Sequence, residues 1–202
     1  MTYKPSSQSG FTLVETLVAI TILLLVIVGP MSFSMSAARS TSFSTEQTAA
    51  FFLAQEGIEI MQKARDDLVL GGFADPGANP DPWDDFSDDS TGALYENCFV
   101  TNSATGCGLE LNDDATGSIK APIDCSSVSC RLYYDDTGDR ARYTYTSTDP
   151  DTITPYTRTI TLSNNAGNTE TEVVSRVSWR TGSQRAEQEV VSVTYLFDVY
   201  GN

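Results

Sequence analysis

Hydrophobic positions along this chain change their period twice. Behind a polar stretch, Met1 to Gly10, comes an apolar run from Phe11 to Val28, broken only by Thr12, Glu15, Thr16 and Thr21. Such a run has no polar face, which predicts a helix surrounded by an apolar medium. At 1.5 Å per residue it spans about 27 Å, close to the roughly 30 Å of a bilayer's hydrocarbon core. Met31 and Phe33 lengthen it slightly. Gly29-Pro30 predicts a kink or local unwinding, because proline removes a helical hydrogen bond and crowds the preceding turn. Ser32 to Thr48 is rich in Ser and Thr and lowers helix propensity. Beyond it Phe43, Ala50, Ala54, Ile58, Met61 and Leu68 recur at spacings of three, four or seven, the stripe of an amphipathic helix. Glu59 and Lys63 stand at i and i+4 on another face. Gly71-Gly72 predicts the helix end.

Periodicity then fades. Residues 71–129 read as an irregular connection, with short strands near Ala93 to Thr101 and Gly108 to Leu111. From 130 to 202 the period is two. Val191, Val193, Tyr195 and Phe197 share one face of a last strand, with Glu189 in phase; Val173, Val177 and Trp179 share a face of the strand before it; and Tyr156, Ile160 and Leu162 do the same one strand earlier. Arg131 to Tyr134 and Arg142 to Thr146 predict a hairpin about Asp135 to Asp139. One apolar sheet face and one apolar helix stripe complete a two-layer core, so the predicted class is α+β: a long N-terminal helix packed on an antiparallel sheet. The expected divisions are 1–10, 11–30, 31–70, 71–129 and 130–202.

The outlier in this pattern is Glu15. A carboxylate inside an apolar span costs roughly 2.5 to 3.5 kcal/mol near a bilayer centre and demands a partner, for which an amine is the natural choice. Glu15 lies about 6 Å along the helix from the Phe11 nitrogen. The run Gly10-Phe11-Thr12-Leu13-Val14-Glu15 with the apolar stretch behind it resembles the class III signal of type IV prepilins and pseudopilins. That resemblance implies cleavage between Gly10 and Phe11 by a membrane-embedded prepilin peptidase and methylation of the new amino terminus at Phe11. It also places Glu15 five residues into the mature chain, as an assembly residue. Thr48 to Glu59, with Leu53-Ala54-Gln55 inside it, resembles the helix of minor pilins and pseudopilins of the PilV and GspI kind. Together these matches cover about the first 65 residues. They imply a pilin-like fold, a subunit-specific surface between helix and sheet, and a leader inside the cell with the bulk of the chain outside.

Other readings of the amino terminus fit less well. In a Sec signal peptide the small residues of the cleavage site follow the apolar core, whereas Gly10 precedes it. A lipoprotein needs a cysteine at the cleavage point, and the first here is Cys98. Lys4 before the span and Arg39 after it orient a signal anchor only weakly.

The cysteines Cys98, Cys107, Cys125 and Cys130 all follow the span, and an even count in an external compartment favours disulfides. Of the three possible pairings, Cys98 with Cys107 and Cys125 with Cys130 close the shortest loops. A zinc site is disfavoured by these spacings and by the absence of histidine. The missing histidine also removes Ser-His-Asp and Cys-His catalysis, and no phosphate-loop or dinucleotide pattern occurs, so no enzyme and no cofactor is expected. Adjacent acids at Asp84-Asp85, Asp88-Asp89, Asp113-Asp114 and Asp135-Asp136 read first as turns. Asp84, Asp85, Asp88 and Asp89 are the calcium candidates, although none fits the EF-hand pattern. With 12 basic against 27 acidic residues the formal charge is −15, which repels phosphate backbones and argues against nucleic acid as a partner. Arg131, Arg140, Arg142 and Arg158, interleaved with Tyr133, Tyr134, Tyr143 and Tyr145, suggest a stacking surface, but ordinary solvent-facing arginines on a strand-rich sheet are the preferred reading.

The expectation is a minor pilin or pseudopilin, a structural subunit of a type IV pilus or type II secretion-like filament. Its partners would be other pilin subunits, the prepilin peptidase and an inner-membrane assembly platform. It would be held by a single pass in the cytoplasmic membrane before joining a surface or periplasmic filament. The alternative from another class is a signal-anchored extracellular adhesin that never polymerises.

Overall fold

The computed structural model describes residues 10–74, 81–112, 117–137, 141–146, 152–180 and 186–199. The leader before Gly10, the Asp75 to Pro80 stretch, Asp113-Asp114 and Arg140 lie outside them. The chain divides into two compact units, one up to Thr45 and the other from Glu46 onward. Helix α1, Leu13–Ala74, is assigned across both.

In the first unit α1 carries the apolar run. Its best window has a mean hydropathy of 2.5, and none of that window is buried. Gly29-Pro30 does not unwind it: the helix is assigned without interruption through both residues. Proline deletes one N–H bond only, and the bonds on either side of it hold the turn. The Ser- and Thr-rich stretch is helical as well. Thr41, Ser44 and Thr45 donate their hydroxyls to the carbonyls of Ala37, Ser40 and Thr41 at 3.0 Å, so these side chains satisfy themselves on the helix instead of competing with it.

The second unit is a two-layer head. Ala50, Leu53, Ala54, Gly57, Ile58, Ile60, Met61 and Ala64 form the buried stripe of α1, with Leu68 packed at its margin. The helix passes Gly71-Gly72 and ends at Ala74; Gly72 is buried, a place where a side chain would have to be accommodated. Lys63 pairs with Asp67 at 2.8 Å, one turn onward, and not with Glu59 one turn back.

The strands are β1 (Cys107–Gly108), β2 (Ile123–Asp124), β3 (Arg131–Asp135), β4 (Arg142–Thr144), β5 (Ile153–Asn164), β6 (Glu170–Trp179) and β7 (Gln188–Phe197). All their pairings are antiparallel. β5 is the spine: β6 and then β7 lie on one edge, and β3–β4 and β1–β2 share the other. Tyr156, Ile160 and Leu162 of β5 and Thr171, Val173, Ser175, Val177 and Trp179 of β6 face inward against the helix layer. Between helix and sheet the connection contributes a short helix α2 (Pro82–Ser87), absent from the sequence reading, and a 3-10 turn at Glu96–Cys98. Asp81 caps α2 by accepting from the Asp84 N–H at 3.2 Å, and Pro82 sits at its first position. This supposedly irregular segment buries Trp83, Phe86, Tyr95, Phe99 and Leu109 in the main core. Of the two strands expected there, Gly108 belongs to β1, whereas Ala93 to Thr101 holds the 3-10 turn and a single parallel bridge from Phe99 to Leu162.

One face assignment is reversed. On β7 the odd-numbered apolar residues alternate as expected, but Val191, Val193, Tyr195 and Phe197 point outward, and the inward row is Val190, Ser192, Thr194 and Leu196. Period two identifies two faces without saying which is covered. The larger apolar row lost because it lies on the side away from α1, where Gln55 Nε2 meets Ser192 Oγ at 2.7 Å on the opposite face.

Candidate functional site

The amino-terminal end of α1 carries the chemistry singled out in the sequence. Gly10 and Phe11 lie outside the helix, and Phe11 is exposed. Thr12 is the helix cap: its Oγ1 accepts the Glu15 N–H at 3.2 Å, and its carbonyl accepts the Thr16 N–H at 3.2 Å. The Thr12-x-x-Glu15 spacing is that of a capping box, with the acid in the first turn where the helix dipole favours negative charge. The peptide bond between Gly10 and Phe11 is therefore left in non-helical chain just before the first turn. A Cβ at Gly10 would meet nothing within 4 Å. Thr16 and Thr21 donate their hydroxyls to the carbonyls of Leu13 and Val18 at 2.8 Å, so neither presents an unsatisfied group to an apolar medium. Among the described residues no basic side chain pairs with the Glu15 carboxylate. It is the one ionisable group between Gly10 and Val28.

In the head, Cys98 is bonded to Cys107 and Cys125 to Cys130, the pairing with the two short loops. The calcium candidates do not converge. Asp84 and Asp85 occupy the exposed first turn of α2, Asp88 accepts the Ser90 N–H at 2.8 Å, and Asp89 accepts the Thr101 hydroxyl at 3.1 Å. Hydrogen bonds from Ser90 hold the Asp88 carboxyl below its ordinary value. Among the described residues no three Cys, Asp or Glu side chains are grouped to hold a metal ion.

The arginines also separate. Arg131 is exposed, and Arg142 pairs with Asp135 at 3.3 Å. Arg158 is fully buried, contrary to the solvent-facing reading. Its guanidinium donates to Glu56 Oε2 at 2.7 Å, Tyr145 Oη at 2.9 Å, Leu109 O at 3.0 Å and Leu53 O at 3.2 Å, with the Tyr145 ring centroid 5.3 Å away. Burial alone would disfavour the charge, but Tyr145 and Glu56 more than restore it, and the arginine stays protonated. The residue thus ties the helix, β5 and the connection at one point. The sequence did hold the signal: Arg158 is in phase with Tyr156, Ile160 and Leu162, on the inward row. A second ion pair joins the buried Glu110 to the half-buried Lys120 at 2.6 Å, and Glu110 Oε2 also accepts the Tyr145 N–H at 2.7 Å. Burial pushes the Glu110 carboxyl up, yet bonds from Lys120, Thr144 and Tyr145 together leave it below its ordinary value.

The head offers a scaffold, then, and the amino terminus offers a helix long and apolar enough to cross a membrane. The family model described as the prokaryotic N-terminal methylation motif matches residues 5–29. No curated protein and no solved structure matches the chain. The matched stretch contains Gly10, Phe11, Thr12 and Glu15 and the whole apolar run to Val28. It supports a type IV pilin-like precursor, anchored in a membrane by that run, and it points to a structural protein instead of an enzyme.

Proposed function

We propose that the chain is a minor pilin or pseudopilin, a structural subunit of a type IV pilus or type II secretion-like filament. Prepilin peptidase cuts between Gly10 and Phe11 and methylates the Phe11 amine. The mature subunit waits in the cytoplasmic membrane with its head outside and enters the filament through an assembly platform and neighbouring pilin subunits. Its apolar helix leaves lipid for a bundle of equally apolar helices, so little hydrophobic energy separates the two states. Glu15 supplies the direction: paired with the Phe11 amine of an adjacent subunit, it loses its uncompensated charge only in the correct axial register.

The observation that carries this reading is the methylation-motif match over residues 5–29, a stretch whose one ionisable side chain is Glu15. Mass spectrometry of the chain from its native host tests it. A mature protein beginning at N-methyl-Phe11 is expected, and a chain still carrying Met1 to Gly10 in cells that contain the peptidase would favour the signal-anchored adhesin.

A further inference from the structure

Gly10, Phe11 and Thr12 precede α1, and all three stand outside the helix. What ends the helix there is a side chain. A helix begun one turn earlier would give the Glu15 N–H to the Phe11 carbonyl and the Val14 N–H to the Gly10 carbonyl. Instead the Glu15 N–H goes to Thr12 Oγ1 at 3.2 Å, and the Thr12 carbonyl, accepting the Thr16 N–H at 3.2 Å, becomes the first of the backbone ladder. Residue types alone do not set this start, because Ser6, Ser7 and Ser9 are also cap-competent. Gly10 works in the same sense as Thr12, being a poor helix former, but it only weakens a helix, whereas the cap gives it a definite first residue.

The bond at stake is the one between the Gly10 carbonyl carbon and the Phe11 nitrogen. Inside a helix that carbonyl would be bonded to an N–H four residues on and screened by the turns about it, closed to a nucleophile. We propose that Thr12 is a positioning residue for the processing of this chain: its cap keeps the Gly10–Phe11 peptide out of α1. The peptidase then meets an extended bond, and after the cut the Phe11 amine stands clear of the first turn, where it can be methylated. The inference rests on the processing reading given above and adds to it the residue of the substrate that makes the bond accessible. Glu15 contributes only its backbone N–H to this role, so its carboxylate is not required for cutting.

Initial rates of cutting of the full-length precursor in detergent by prepilin peptidase test this with Thr12→Val, Thr12→Asn and Thr12→Ser. Valine keeps the shape of threonine and loses the cap, whereas asparagine changes the shape and caps as well or better. A bond accessible in only a fraction of molecules raises KM by the inverse of that fraction and leaves kcat alone. The ordinary worth of a cap corresponds to about two- to thirtyfold in that fraction, so KM should rise by such a factor in Thr12→Val and stay parental in the other two. With kcat unchanged, precursor left with excess peptidase is still cut in full. Backbone chemical shifts of residues 10–16 in the uncut chain should show one helix start, at Leu13, in the parent, Asn and Ser forms and an averaged start in the Val form. A peptidase that reads side-chain shape gives the reverse order, with Val cut like the parent and Asn poorly. That order, or equal KM in all forms, overturns the proposal and leaves the processing reading standing. A parent precursor that the peptidase leaves whole overturns both.

Discussion

Two charged side chains sit in apolar parts of this molecule, and the two regions treat them in opposite ways. Arg158 in the head is wholly buried and finds four hydrogen-bond acceptors within the fold. Glu15 in the apolar helix has no basic side chain of the described chain to meet it. A charge satisfied internally is part of the architecture; a charge left waiting in an apolar span is a demand on something outside. The head should therefore be sensitive to loss of Arg158 as a folding unit, and the amino-terminal helix sensitive to loss of Glu15 only as an assembling one.

The sharpest way to break this contrast is at Arg158. Arg158→Met removes the guanidinium's bonds to Glu56, Leu53 O, Leu109 O and the Tyr145 oxygen, leaving the Tyr145 hydroxyl only its bond to the carbonyl of residue 158, and should cost the head about 3 to 5 kcal/mol in denaturant unfolding. Glu56→Gln keeps a hydrogen-bond acceptor at a half-exposed position and should cost about 1 to 2 kcal/mol. If the two substitutions cost the same, the network is a simple ion pair and the architectural role assigned to Arg158 is wrong.

Next in size are the disulfides. Both sulfurs of Cys98–Cys107 are in fully buried residues, whereas Cys125 is only partly buried and precedes an exposed loop, Ser126 to Ser129. Titration with reductant, followed by alkylation and peptide mapping, should open Cys125–Cys130 first and Cys98–Cys107 only as the head unfolds. Replacing Cys98 and Cys107 together by serine should cost about 2 to 4 kcal/mol. Gly57 comes third. A Cβ there would overlap Ser175 Oγ and lie 3.2 Å from Ser175 Cβ, which is why helix and sheet approach so closely at this point. Gly57→Ala should cost about 1 to 3 kcal/mol, and Ser175→Gly in the same chain should recover part of it.

A smaller effect lies in the pH dependence. The Glu110 carboxyl is held below its ordinary value of 4.5, so it contributes stability at pH values above 4.5 and loses it as pH falls toward the lower folded value. The acid limb of unfolding should flatten in Glu110→Gln by on the order of 1 kcal/mol, and an unchanged limb would show that Lys120 and the Tyr145 N–H do not favour the ionised form.

What the sequence disclosed follows the same division. The apolar run, Glu15 and the methylation motif are linear features and were readable without a fold. The helix stripe through Ala50, Ala54, Ile58 and Met61 and the inward rows of β5 and β6 were readable as periods. Three things were not. Arg158 looked like a surface residue because its type outweighed its phase. The outward row of β7 looked like core because an apolar row usually is, and only the position of α1 decides otherwise. The connection looked irregular because Trp83, Phe86 and Tyr95 reach the core from α2 and turns with no repeating spacing.

The smallest effect on the fold is expected at Glu15, and it is the one that tests the contrast most directly. Glu15→Leu removes the acid from the first turn and with it at most the few tenths to about 1 kcal/mol that a capping box and the helix dipole confer. The head, which begins at Glu46, should unfold at an unchanged denaturant midpoint. In the filament reading the same substitution should leave processing at Gly10 intact and yet exclude the subunit from sheared filaments, because the methylated Phe11 amine of a neighbour has no counter-charge to dock on. Thr12→Ala separates the two roles of this turn: it removes the cap that Thr12 Oγ1 supplies to the Glu15 N–H while keeping the acid, so helix fraying without loss of incorporation is expected. Should Glu15→Leu subunits enter filaments as readily as the parent, the acid serves only its own helix end, and the difference drawn between a satisfied and an unsatisfied charge loses its functional meaning.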